Sequence, residues 1–179
     1  MERARGGPTG YSKDGYIVDQ ARLKDVPYGC RTSDHNGCGW IAAYNLLRCL
    51  GDPATEAELT KALSRRSLFR GRLGTSPFKL SRLFKERGYQ VKLYLGKKRA
   101  AANAAEAGTG LLLYRHRWGW HYVAFTRSGA GEELRFFNAS PGNERHVEPM
   151  AALLARDSAA PFAAVLAVYQ PKSSSTRNT

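Results

Sequence analysis

Residues 34–51 read DHNGCGWIAAYNLLRCLG, and the interpretation of this stretch decides the rest. After Gly39 the run is rich in helix formers, and Gly51 stands where helices commonly stop, so the spacing predicts a helix over 38–50. Its first turn begins at Cys38. There a thiol meets unpaired backbone N–H groups and the positive end of the helix dipole, both of which favour the nucleophilic thiolate. Gly37 and Gly39 flank the cysteine, and their lack of side chains would let a substrate backbone come close to the sulfur. Cys49, eleven residues further along, is expected in the core.

A thiolate nucleophile needs a proton acceptor, and the acceptor needs a third group to orient it. Working outward, residues 121–127 (HYVAFTR) and 134–140 (LRFFNAS) are two β-rich runs about the Gly-containing turn SGAGEE, which predicts a β-hairpin. His121 opens the first strand and Asn138 closes the second, so antiparallel pairing brings them together at one end of the sheet. A helix packed on that sheet would bring Cys38 to the same place. His116 is the alternative base, disfavoured by Arg115 and Arg117 beside it, and His146 in RHVE is expected to be an ordinary strand residue.

The remaining elements fall into order around these two. Thr55 and Glu58 form a capping box before LTKALSRR, and Ser76 with Pro77 opens a helix over FKLSRLFKER that stops at Gly88. YQVKLYL alternates like a strand, AAANAAEA predicts a weak helix, and GLLLYRH a buried strand. A short RHVE strand, a small helix over MAALLAR and a last apolar strand near AAVLAVY complete the chain. Helices come first and strands mostly later, which signals an α+β domain. Residues 1–15 are expected to be a flexible lead-in, 16–169 a single domain, and 170–179 (QPKSSSTRNT) a disordered polar tail.

DHNGCGWIAAYNLLRCLG resembles the nucleophile helix of papain-like cysteine peptidases of the C39 and C39-like type, the bacteriocin-processing peptidases. WGWHYVAFTRSGAGEELRFFNASPG resembles their His strand, hairpin turn and Asn/Asp-bearing strand, and VPYGC at 26–30 their entry strand. The resemblance covers roughly residues 26–169, by order and spacing of elements more than by long motifs. It implies a papain-like fold, peptide-bond hydrolysis, Cys38 as nucleophile, His121 as base and Asn138 as orienter. It also implies a side-chain donor to the oxyanion, which the family supplies from a Gln several residues before the Cys. Here Thr32 stands six before and Asn36 two before, so these two are the oxyanion candidates, Asn36 foremost, with the Cys38 N–H as second donor. Gln20 is 18 residues away. Trp40 stands where the family prefers a small residue or Pro.

Composition sets the outer limits. With 179 residues, 42% hydrophobic and 24% charged, the chain is long enough for one core without disulfides or structural metals. Three cysteines form no disulfide framework, the N-terminus has no export signal, and no run approaches a membrane span, so a cytoplasmic enzyme is expected. Cys30, His35 and Cys38 show no metal-ligand spacing, and no cofactor or metal is expected.

The net charge of +13 is uneven: the segment 61–99 holds thirteen Lys or Arg and one acid, Glu86, for +12, against +1 elsewhere. Such a field favours an acidic partner, whether an acidic peptide or protein, an anionic membrane face or nucleic acid, without choosing among them. Nucleic acid is not favoured, because no recognisable binding motif accompanies the charge. The alternative to a peptidase is a catalytically inactive papain-like binding module whose basic 61–99 segment engages an acidic protein or nucleic acid.

Overall fold

The computed structural model describes residues 10–64, 74–116, 119–129, 131–139, 146–158 and 162–170. Ahead of the helix read from residues 34–51 stand a two-stranded hairpin, β1 (Pro27–Tyr28) and β2 (Arg31–Thr32), and a single turn of helix, α1 (Ser33–Asn36). Across Gly37 follows that helix, α2 (Cys38–Cys49). It ends where Gly51 takes a φ of 77° and the Asp52 N–H turns back to the Leu47 carbonyl at 3.0 Å. Nine of its twelve residues are buried, so α2 is enclosed on more than one side and is not a surface helix.

On one side of α2 lies α3 (Glu56–Ser64), and α4 (Pro77–Glu86) joins the same buried cluster. The Thr55–Glu58 capping box forms as expected: the Thr55 N–H donates to Glu58 Oε2 at 2.7 Å and the Glu58 N–H to Thr55 Oγ1 at 3.2 Å. Ser76 Oγ caps α4 by accepting from the Phe78 N–H, with Pro77 in the first helical position.

On the other side stands a six-stranded antiparallel sheet in the order β3-β8-β4-β5-β6-β7. Its strands are β3 (Gln90–Leu95), β4 (Thr109–His116), β5 (Gly119–Arg127), β6 (Glu133–Phe137), β7 (His146–Pro149) and β8 (Ala163–Tyr169). Leu111, Tyr122, Ala124, Phe137 and Leu166 join one buried cluster with α2, α3 and α4. Their neighbours Leu112, Val123, Phe125, Phe136 and Val165 join a second with α5 (Lys97–Ala107) and α6 (Met150–Asp157). The central strands are thus covered on both faces, which is why GLLLY and AAVLAVY read as continuous apolar runs. The α+β class and the order of elements agree with the sequence reading.

Of the expected lead-in, residues 1–9 lie outside the described residues, as do 171–179 of the expected tail. Residues 10–15 fold back: Tyr11 bridges Ile17, the Ser12 N–H donates to the Tyr16 carbonyl at 2.8 Å, and the Val18 N–H to the Gly10 carbonyl at 3.0 Å. Asn45 fastens this segment to α2. Its Oδ1 accepts from the Ile17 N–H and its Nδ2 donates to the Ile17 carbonyl, both at 2.8 Å and both buried. Asn45→Ala strands both backbone groups, so it is expected to cost about 3 kcal/mol in chemical denaturation.

Candidate active site

Cys38 is the first residue of α2 and 8% exposed. Three backbone N–H groups are directed at Sγ, from Tyr122, Gly39 and Cys38 itself. Burial nevertheless dominates and pushes the thiol above its ordinary range, with the N–H groups offsetting part of the rise.

The flanking glycines also have a reason the sequence did not reveal. A Cβ on Gly39 would overlap the Thr75 side chain, and one on Gly37 would overlap Ser33. Thr75 is itself fastened, its Oγ1 within 2.6 Å of the Tyr28 hydroxyl. Both glycines therefore seat the start of α2 against its neighbours. Trp40 is fully buried, and its indole N–H donates to Ser33 Oγ at 3.0 Å, which accommodates the large residue at that position.

His121 and Asn138 meet as the hairpin predicts, but through a different group. His121 Nε2 lies 2.9 Å from the backbone carbonyl of Asn138. A carbonyl only accepts, so Nε2 carries the hydrogen and the lone pair of the neutral ring is on Nδ1. The Asn138 side chain, expected to hold the imidazole, is engaged elsewhere. Its Oδ1 accepts from the Gln20 N–H and its Nδ2 donates to Gln20 Oε1, each at 3.2 Å. Asn138 takes a φ of 62°, the one positive value for a non-glycine among the described residues, and asparagine tolerates it better than most. Gln20, in the 3-10 turn Gln20–Arg22, also donates through Nε2 to the Asp34 carbonyl at 3.0 Å. Nothing in the spacing of the sequence marks it.

Sγ lies against the amide that follows His121, yet neither ring nitrogen is hydrogen-bonded to it among the described residues. Burial lowers the His121 pKa below its ordinary value, His116 lowers it further, and the bond to the Asn138 carbonyl offsets part of this. The unfolded imidazole binds its proton near ~6.5 and the folded one only at lower pH. His121 therefore contributes stability that is present above about pH 6.5 and lost as pH falls through its folded value. Denaturation midpoints are expected to drop below pH 6.5, and His121→Gln to flatten that part of the profile. The ring beside His121 is Tyr114, edge-on at 6.0 Å and directly opposite in register. Trp118 lies outside the described residues, and Trp120 is 52% exposed and packs on Phe162 at 5.7 Å.

Of the oxyanion candidates, Thr32 donates its hydroxyl proton to the Asp34 carboxylate. Asn36 closes α1, two residues before the sulfur. His116 ends β4 opposite Gly119, and His146 stands in β7 beside Glu148 and Arg156. Cys49 is half-buried at the end of α2, and all three cysteines are free. Among the described residues no group of three or more His, Cys, Asp or Glu is gathered as a metal site would require.

No protein-family model matches the chain, and no curated protein does. Solved structures do. The peptidase domain of Streptococcus ComA, a bifunctional ABC transporter of a quorum-sensing pathway, is similar at a TM-score of 0.53 and 15% identity, over 75% of this chain and 93% of that one. A double-glycine-motif protease from an AMS/PCAT transporter, solved with its leader peptide, is similar at 0.46 and 15% identity, over 72% and 82%. The first of these likenesses bears on the fold. The chain has the papain-like fold.

In this papain-like fold the described part of the basic 61–99 segment does not form one wall. Lys97, Lys98 and Arg99 open α5, whose buried residues lie in the cluster on the sheet face away from α2, and Lys97 Nζ donates to the Ser158 carbonyl at 2.9 Å. On the α2 side, Arg82 pairs with Glu86 at 2.6 Å and Arg87 with Asp52 at 2.8 Å. Arg65, Arg66, Arg70 and Arg72 lie outside the described residues. No helix among those described is long and apolar enough to cross a membrane.

Proposed function

We propose that this chain is a cysteine peptidase that hydrolyses a peptide bond with Cys38 as nucleophile and His121 as general base, acting in the cytoplasm, where its three free cysteines would stay reduced. The observation that carries this reading is the position of Sγ at the start of α2, against the Tyr122 amide and one residue from an imidazole whose Nε2 bonds the Asn138 carbonyl. Burial raises the thiol and lowers the imidazole, and both shifts favour an uncharged resting pair.

The chemistry follows from that state. His121 Nδ1 takes the thiol proton as Sγ attacks the scissile carbonyl carbon, so charge separates only as the new C–S bond forms. The Cys38 N–H donates to the developing oxyanion, and Asn36 is the side-chain donor in this reading. The C–N bond then breaks as Nδ1–H protonates the departing amine. Water, losing a proton to Nδ1, hydrolyses the thioester, and Sγ leaves with that proton restored.

A papain-like binding module is the second reading. It is favoured by the buried thiol and by the missing hydrogen bond between Sγ and the ring. Incubation with a proteome-derived peptide library between pH 6 and 9, with new termini mapped by mass spectrometry, separates the two. New termini with a common sequence context support the peptidase. Their absence at every pH overturns it and leaves the binding module, for which a salt titration of polyanion binding is the next measurement.

A further inference from the structure

The Asn138 carbonyl points at His121 Nε2 only while Asn138 keeps an uncommon backbone conformation. A non-glycine residue stays there when its surroundings over-determine it. Both polar atoms of the Asn138 side chain are engaged by a single residue, Gln20, through its N–H and its Oε1. The same amide donates through Nε2 to the Asp34 carbonyl in α1, four residues before Cys38. Because that carbonyl can only accept, the amide orientation is determined: Nε2 faces Asp34 and Oε1 faces Asn138.

We infer that Gln20 is a positioning residue for the catalytic imidazole, acting through Asn138 and tying the His-bearing side of the site to the segment that leads into the cysteine helix. The inference rests on the peptidase reading for its catalytic meaning, but the hydrogen-bond chain is testable without a substrate. Gln20 does not reach the reacting atoms. It sets the direction of the Asn138 carbonyl, the carbonyl sets the His121 tautomer, and the tautomer leaves Nδ1 as the base. A misplacement of about 1 Å in such a relay can cost about 10²-fold in rate.

The experiment is long-range proton–nitrogen NMR on protein with labelled imidazoles, with His121→Gln to assign the resonance, beside iodoacetamide alkylation of Cys38 read by mass spectrometry. In the wild type His121 is expected to be a single Nε2–H tautomer. Gln20→Met keeps length and shape but loses both bonds of the side-chain amide. It is expected to show mixed tautomers and Cys38 alkylation slowed about tenfold. Gln20→Asn, too short to span Asn138 and Asp34 together, should behave alike, whereas Gln20→Glu retains an acceptor for Asn138 Nδ2 and should keep the wild-type tautomer.

A wild-type tautomer in both Gln20→Met and Gln20→Asn overturns the inference and leaves Gln20 as a residue that only fastens its turn. The peptidase reading fails separately. If the tautomer responds to Gln20 while no peptide is cleaved and Cys38 alkylation ignores His121→Ala, the positioning relay stands and the catalytic reading falls.

Discussion

Cys38→Ala is expected to lower the cleavage rate of the best library peptide by about 10⁴-fold or more while leaving the fold intact. Sγ is the one atom in the proposed reaction that forms a bond to the substrate, and a methyl group cannot replace it. Alanine suits the first turn of a helix and removes a single small buried atom, so the loss of stability should be about 1 kcal/mol. His121→Ala should lower the rate to a similar extent, because an unionised thiol without its base is a poor nucleophile. The double variant should be hardly worse than either single one, since two groups that act as one unit are not additive. Rates that survive Cys38→Ala would assign the cleavage to another group, and the peptidase reading would fall.

Gly39→Ala is the second large effect, and its sign is decided by two opposed terms. Helix propensity favours alanine over glycine by about 1 kcal/mol. Against this, the new Cβ overlaps Thr75, which is buried and held by its bond to the Tyr28 hydroxyl. Overpacking of this kind costs about 1–3 kcal/mol. The clash should win, with a lower thermal midpoint, because Thr75 has no room to swing away. The expected effect on cleavage is larger, about 10²-fold, since relief of the overlap moves the first turn of α2 and Sγ with it. Adding Thr75→Gly removes the overlapped atoms and should recover much of the lost rate. A Gly39→Ala protein as active as the wild type would show that the start of α2 tolerates displacement.

Much of this molecule is legible in its sequence wherever the cause is local. The helix from Cys38, the Thr55–Glu58 box, the Ser76–Pro77 start and the hairpin about residues 128–133 each follow from residues within a few positions of one another. The meeting of His121 with Asn138 follows as well, because antiparallel pairing converts a separation of 17 residues into adjacency. The roles of the groups were less accessible. The sequence singles out the amide of Asn138, yet the carbonyl holds the imidazole, and Thr32 donates to Asp34.

By itself, then, the sequence determined the α+β class and the order of elements, since capping, periodicity and strand pairing act over short spans. Tertiary structure alone decided the rest. It inserted β8 between β3 and β4, and it closed Gly39 against Thr75. It buried the Cys38 thiol and brought Gln20 to Asn138 across 118 residues. The physical reason is common to all four: burial and side-chain contact depend on which distant surfaces pack together, and no spacing along the chain encodes that.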